Sequence, residues 1–269
     1  MPRAMWNGSV SFGLVSIPVK LYGATEDKDI NFHQVHAEDG GRVRYQRVCE
    51  KCGQVLKWGD IAKGYEAPDG RVVVLTSEDL ESLPLHSLKT VDVVQFVDAD
   101  EIDEMYLQRS YFMEPQKTGQ KPYVLLREAL CRGNKVAVVK VALRTRESLA
   151  LIRPHKDLLV MHTMYWPDEL RDGEFAAPSA EVTVSDAEIE MANLLIGQLE
   201  GHFSPDDYSD SYREALEQVV EAKLSGEGWT QEPEETEPTG EVVDLMATLK
   251  ASVEAARKRR AQAAEAQAG

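Results

Sequence analysis

The chain has 269 residues, 43% of them hydrophobic and 28% charged, a balance that suits a globular protein with one large core or two modest ones. Its 30 basic against 46 acidic side chains leave a net charge of −16, which excludes attraction to nucleic acid by overall charge. No apolar run reaches the roughly 18 residues of a membrane span, "MPRAMWNGSVSFG" lacks a signal peptide's apolar core, and three cysteines make no disulfide framework, so a cytoplasmic, membrane-free protein is expected.

Residues 9–22, "SVSFGLVSIPVKLY", read as a strand broken by Gly13 and Pro18. Further strand-like runs are 71–76, 90–97, 109–114, 135–144, 148–153 and 158–166, several with β-branched enrichment or alternation. Short helices intervene. "SEDLESL" (77–83) opens with Ser77 as a capping residue, and "KPYVLLREALCRG" (121–133) sets Tyr123, Leu126, Ala129 and Leu130 on one face and ends at Gly133. Cys131 is expected in the core on that face. Many strands, few helices and no βαβ rhythm predict a β-barrel or sandwich.

The period changes near residue 185. Ser185 and Glu188 have capping-box spacing, and Ile189, Ala192, Leu195, Ile196 and Leu199 follow as a helical stripe. A second helix fits 210–224, with Tyr212, Leu216, Val219 and Lys223 on one side. "SGEGWTQEPEETEPTGE" (225–241) is an acidic linker without core-forming power. A last amphipathic helix over 242–258 carries Val242, Leu245, Met246, Leu249 and Val253 at helical spacing and runs into "RKRR". No internal repeat is evident.

Charge is unevenly spread. Residues 117–156 carry ten basic and two acidic side chains, whereas 157–256 carry four basic and 24 acidic. Residues 42–63 hold six basic side chains against Glu50 and Asp60. Two positive strips in an anionic chain are either solvated faces or a track for a polyanion. The residues expected to contact phosphate are Arg42, Arg44, Arg47, Lys57, Lys63, Lys117, Lys121, Lys135, Lys140, Arg144 and Arg146. Strand alternation allows only about half of a strand's cations to share a face. Tyr45 and Trp58, interleaved with the first strip, either stack on bases or anchor a hairpin.

Catalytic motifs are missing: the chain has no GxSxG, P-loop, GxGxxG or HExxH, and no enzymatic role is expected. The "CEKC" of Cys49 and Cys52 is half of a structural zinc site. His36 and Asp39 could complete it across a hairpin; a redox pair and two free thiols are the other readings.

The opening "MWNGSVSFGLVSIPVKLY" resembles the first strands of bacterial Ku, and the likeness continues through "DINFHQVH", "RVCEKCG", "VVLTSEDLESL", "FVDADEIDEMYLQRSYFMEP", "LRTRESLALIRP", "MYWPDELRD" and "VVDLMATLKASVEAARKR". The resemblance implies an α+β protein: a β-barrel over 1–184 with an inserted extended arm at about 33–65, a helical dimerisation segment at 185–224, the acidic linker, and a short C-terminal helix and basic tail at 242–269. It further implies a homodimer that closes a ring around double-stranded DNA ends. The helix face of Val242, Leu245, Met246, Leu249 and Val253 would recruit ATP-dependent DNA ligase D. No cofactor is required; a structural zinc on His36, Asp39, Cys49 and Cys52 is implied as an option. Many members have cysteine where Asp39 stands, and some carry a Lys-rich tail where this chain has only "RKRR". A non-enzymatic adaptor whose basic strips bind a polyanionic partner is the alternative.

Overall fold

The computed structural model describes residues 2–82, 89–143, 146–226 and 245–267. Two compact units divide at Asp172 and Gly173. The first is a closed barrel of seven strands: β1 (Trp6–Phe12), β2 (Val15–Gly23), β5 (Thr90–Asp98), β6 (Leu107–Pro115), β7 (Lys135–Leu143), β8 (Arg146–His155) and β9 (Leu158–Met164). β3 (Lys63–Glu66) and β4 (Val72–Leu75) form a separate two-stranded hairpin. The barrel order is β1-β2-β6-β9-β8-β7-β5. Alternating directions cannot close an odd number of strands, so one seam has to be parallel; it is β1 against β5, at Ser9↔Thr90 to Ser11↔Asp92.

Alternation along these strands builds the core. Ile17, Val19 and Leu21 of β2, Val139 and Val141 of β7, Ile152 of β8 and Met161 of β9 are fully buried and meet inside the barrel. The predicted break at Gly13 is a two-residue hairpin turn, with Gly13 at φ 58° between Phe12 and Val15. Pro18 breaks nothing. Ser9 sends its N–H to the Lys89 carbonyl, away from β2, so the edge of Pro18 that lacks a donor faces β6. There the ladder begins only at Val19↔Pro115, and the Pro18 carbonyl accepts from Gln116 N.

One end of the barrel is plugged by helix α2 (Gln120–Gly133), the fold's second helix after the single turn α1 (Ser77–Glu81). Tyr123, Leu126 and Leu130 point into the core as expected. The Tyr123 hydroxyl donates to the Met113 carbonyl at 2.7 Å and accepts from Leu159 N at 2.6 Å, satisfying two buried backbone groups at the ends of β6 and β9. Burial raises its pKa, so the phenol stays neutral and keeps its donor proton.

Two local expectations need correction. The cap of α1 is Thr76, one residue earlier than Ser77, because Thr76 both accepts from Asp79 N and is capped in return by the Asp79 carboxylate. Helix α2 ends at Gly133 as expected, and the left-handed residue that follows it is Asn134 at φ 48°. Cys131 and Ala129 are exposed, since the buried stripe runs through positions 123, 126 and 130 and leaves 129 and 131 to either side.

His162 of β9 is 9% exposed and shares a 3.0 Å hydrogen bond with Ser110 through Nδ1, while its Nε2 has no partner among the described residues. Burial, then the charges of Arg153 and His155, push its imidazole below the ordinary value of 6.5. The unfolded chain therefore takes up this proton first. The His162 contribution to stability is complete above about pH 6.5 and is lost as pH falls from there toward the lowered value. Thermal unfolding midpoints measured between pH 7 and 5 should fall more steeply for the wild type than for His162→Leu; parallel curves would remove this role.

The second unit contains α3 (Asp186–Leu199), α4 (Ser211–Ser225) and α5 (Leu245–Gln267), with α5 packed on α3. Ser185 and Glu188 form the expected capping box. Of the helix predicted over 242–258, residues 242–244 lie outside the described residues; from Leu245 it is helical and continues to Gln267. Among the described residues no helix is long and apolar enough to cross a membrane.

Candidate nucleic-acid interface

Between β2 and the β3–β4 hairpin, residues 24–62 run as an extended arm whose side chains are almost all exposed. Without a core, its shape rests on two short turns of the same construction. In the first, Val35 bridges Arg42, His36 N donates to the Gly41 carbonyl, and Gly40 N donates back to the His36 carbonyl with Gly40 at φ 69°. In the second, Val48 bridges Val55, Cys49 N donates to the Gln54 carbonyl, and Gly53 N returns to the Cys49 carbonyl with Gly53 also at φ 69°. The arm thus contains a short repeat that the sequence reading missed; "HAEDGG" over "CEKCGQ" is the signal, with glycine where positive φ is needed.

The expected metal residues occupy matching places in the two turns. His36 Nδ1 lies 3.0 Å from Asp39 Oδ1, and Gly41 N donates to the same oxygen at 2.8 Å. The Gly41 N–H, then His36, hold the Asp39 carboxyl below its usual range. In the second turn, the N–H of Cys52, then its side chain and the N–H of Lys51, draw the Cys49 thiol down. The four residues stand as two pairs. Among the described residues no three His, Cys, Asp or Glu side chains come together as a metal shell.

The two turns bracket the arginine cluster. Arg42 donates from Nη2 to His33 Nδ1 at 3.3 Å, and Arg47 sits 4.8 Å from the centre of the Trp58 ring. The Tyr45 hydroxyl donates to Gln34 Oε1. Tyr45 and Trp58 therefore brace the arm while remaining largely exposed. Arg42, Arg44, Arg47, Lys57 and Lys63 are exposed, and among the described residues none is within ion-pair distance of a carboxylate.

The second strip is dispersed. Lys117 and Lys121 are exposed beside and on α2. Lys135 pairs with Asp98 at 2.7 Å, and Lys140 pairs with Glu147 at 3.5 Å and lies 5.5 Å from the Trp166 ring. Lys140 points outward between the inward Val139 and Val141, while Arg146 lines the barrel mouth. Arg144 lies outside the described residues. Of the helix residues expected to meet a partner, Val253 is buried and Leu249 half-buried; Val242 and the side chains of Leu245 and Met246 fall outside the described part.

The description of the Ku70/Ku80 beta-barrel domain matches residues 11–191, from β1 through the arm and barrel into α3. The chain belongs to the Ku family. Its relatives include the Non-homologous end joining protein Ku 2 of Saccharopolyspora erythraea, 47% identical over 261 residues that cover 96% of this chain and 85% of the relative. The Non-homologous end joining protein Ku of Mycobacterium tuberculosis H37Rv is 42% identical over 263 residues, 95% of this chain and 96% of that one. Its namesake in Bacillus subtilis is 42% identical over 258 residues, 95% and 83% of the two chains. Within this Ku fold the arm carries Arg42, Arg44, Arg47 and Lys57, exposed and, among the described residues, without a carboxylate partner.

Proposed function

We propose that this chain acts in non-homologous end joining by binding the ends of double-stranded DNA without reading sequence. It does so as a ring-shaped homodimer that threads onto a break and brings in ATP-dependent DNA ligase D. The observation that carries the reading is that likeness to Ku proteins of end joining covers nearly the whole chain, arm and C-terminal helices included. Phosphate contacts position a protein without regard to base identity, so exposed arginines suffice and no catalytic group is needed. A closed ring confers end specificity by topology alone.

Two features support assembly. The arm exposes Phe32, Tyr45 and Trp58, the β3–β4 hairpin exposes Tyr65, and the second unit exposes Ile196, Leu199, Tyr212 and Leu224, apolar area that a second copy would cover. Ligase docking through Leu249 and Val253 requires α5 to leave α3, since Val253 is already buried.

The test compares retention on linear duplex, covalently closed circles and linear duplex with both ends blocked. Binding to linear DNA alone, unchanged by a metal chelator, is expected. Equal retention on closed circles would overturn threading and leave the adaptor that binds any polyanion.

A further inference from the structure

The barrel end opposite α2 is an open mouth leading into a cavity of about 240 Å³. Its polar lining residues are Gln108, Arg109, Tyr111, Arg146, Ser148 and Thr163, side chains that can all donate, two of them guanidiniums. Apart from the Thr163 hydroxyl, none of these side-chain groups has a hydrogen-bond or ion-pair partner among the described residues, and no acidic residue lines the cavity. Tyr111 is only 8% exposed, which fixes its ring in the cavity wall, and among the described residues its hydroxyl has no protein partner. Donor-bearing side chains gathered around one concave space, with no carboxylate among them, mark a place for an acceptor.

The fold shapes this mouth at one defined irregularity. The β6–β9 ladder slips between Leu107 and Ser110, and the Thr163 hydroxyl there accepts from Arg109 N at 3.2 Å in place of a backbone partner. The slip turns both Gln108 and Arg109 toward the cavity, where regular alternation would send one of them away. Trp6, Leu21 and Leu143 supply an apolar wall, and the filled core below closes the far side.

We infer that this mouth binds a phosphate monoester. Two guanidiniums match the roughly two negative charges that such a group carries at neutral pH, and the hydroxyls and the amide reach its remaining oxygens. A phosphodiester within a strand carries one charge and must continue on both sides, which a blind cavity does not permit. Only a terminal phosphate fits, with its organic part against Trp6. A free mononucleotide and the 5′-phosphate of a DNA strand both present this chemistry.

Titration calorimetry of the full-length protein with dAMP and with deoxyadenosine tests the site. Binding of dAMP at least about tenfold tighter than deoxyadenosine is expected, with a similar loss in Arg109→Gln and a smaller one in Tyr111→Phe. Retention on 5′-hydroxyl linear duplex should be unchanged in both variants. A preference for 5′-phosphorylated over 5′-hydroxyl ends that vanishes in Arg109→Gln identifies the strand terminus as the ligand; dAMP binding without that preference identifies the free nucleotide. No dAMP binding together with no 5′-phosphate preference overturns the inference, as does either effect surviving in both variants. Failure of the wild type on every linear duplex would count against end binding, and the dAMP titrations would still decide this site.

Discussion

Replacing Arg42, Arg44 and Arg47 together with alanine should abolish most DNA-end binding at physiological salt. Each phosphate contact contributes about 0.9 to the slope of log affinity against log salt, so three lost contacts lower the slope by about 3 per arm. These arginines are exposed, lack carboxylate partners among the described residues, and sit between the two turns that shape the arm. The barrel core contains none of them, so the unfolding midpoint of the barrel should move little. Alanine at Lys135 and Lys140 provides the comparison. Their charges are already engaged by Asp98 and Glu147, and their joint removal should change the slope by less than about 1. If this double variant lost as much slope as the arginine triple variant, the arm would not be the principal contact.

The second large effect concerns Gly8. A Cβ at this position would stand 2.1 Å from the Lys89 carbonyl oxygen and 2.3 Å from Cη2 of Trp6. The Lys89 carbonyl is held by Ser9 N at the parallel seam, and the Trp6 ring crosses the space that Gly8 leaves to donate from Nε1 to the Ala142 carbonyl at 3.1 Å. Neither neighbour can retreat without opening the seam or pulling the indole from β7. Gly8→Val should therefore cost about 3 kcal/mol or more and leave the protein largely insoluble. At Gly59 a Cβ would meet nothing within 4 Å, and Gly59→Ala should stay within about 0.5 kcal/mol of wild type. Urea denaturation of both variants measures the difference. A folded Gly8→Val of near wild-type stability would mean that the seam is more tolerant than this geometry allows.

The barrel was legible in the sequence because burial inside it obeys a period of two. Val139 and Val141, or Ile17, Val19 and Leu21, announce an inward face before any partner strand is known. Pro18 was misjudged because the cost of a missing N–H depends on which neighbour lies on that side, and that is settled by register. The arm was legible as a basic segment and not as a shape. Its conformation comes from backbone bonds across glycine turns, for which hydrophobic periodicity carries no signal. The second basic strip was legible only as a total: pairing with Asp98 and Glu147, and the opposite faces of Lys140 and Arg146, depend on contacts between strands. Gln108 and Arg109 escaped notice because a slipped ladder turns them to one side.

The arm leaves the barrel at the end of β2 and the chain re-enters at β5, two strands separated only by β1. Both attachment points are fixed by a framework that is complete without the insert. Lengthening such a loop raises its closure entropy only logarithmically, about 0.6 kcal/mol per doubling. Evolution could therefore trim, extend or re-equip this projection, swapping its cysteines, carboxylates or cations, while the cylinder beneath it folds as before. A laboratory graft of a different arm onto the same two anchor strands should be tolerated for the same reason.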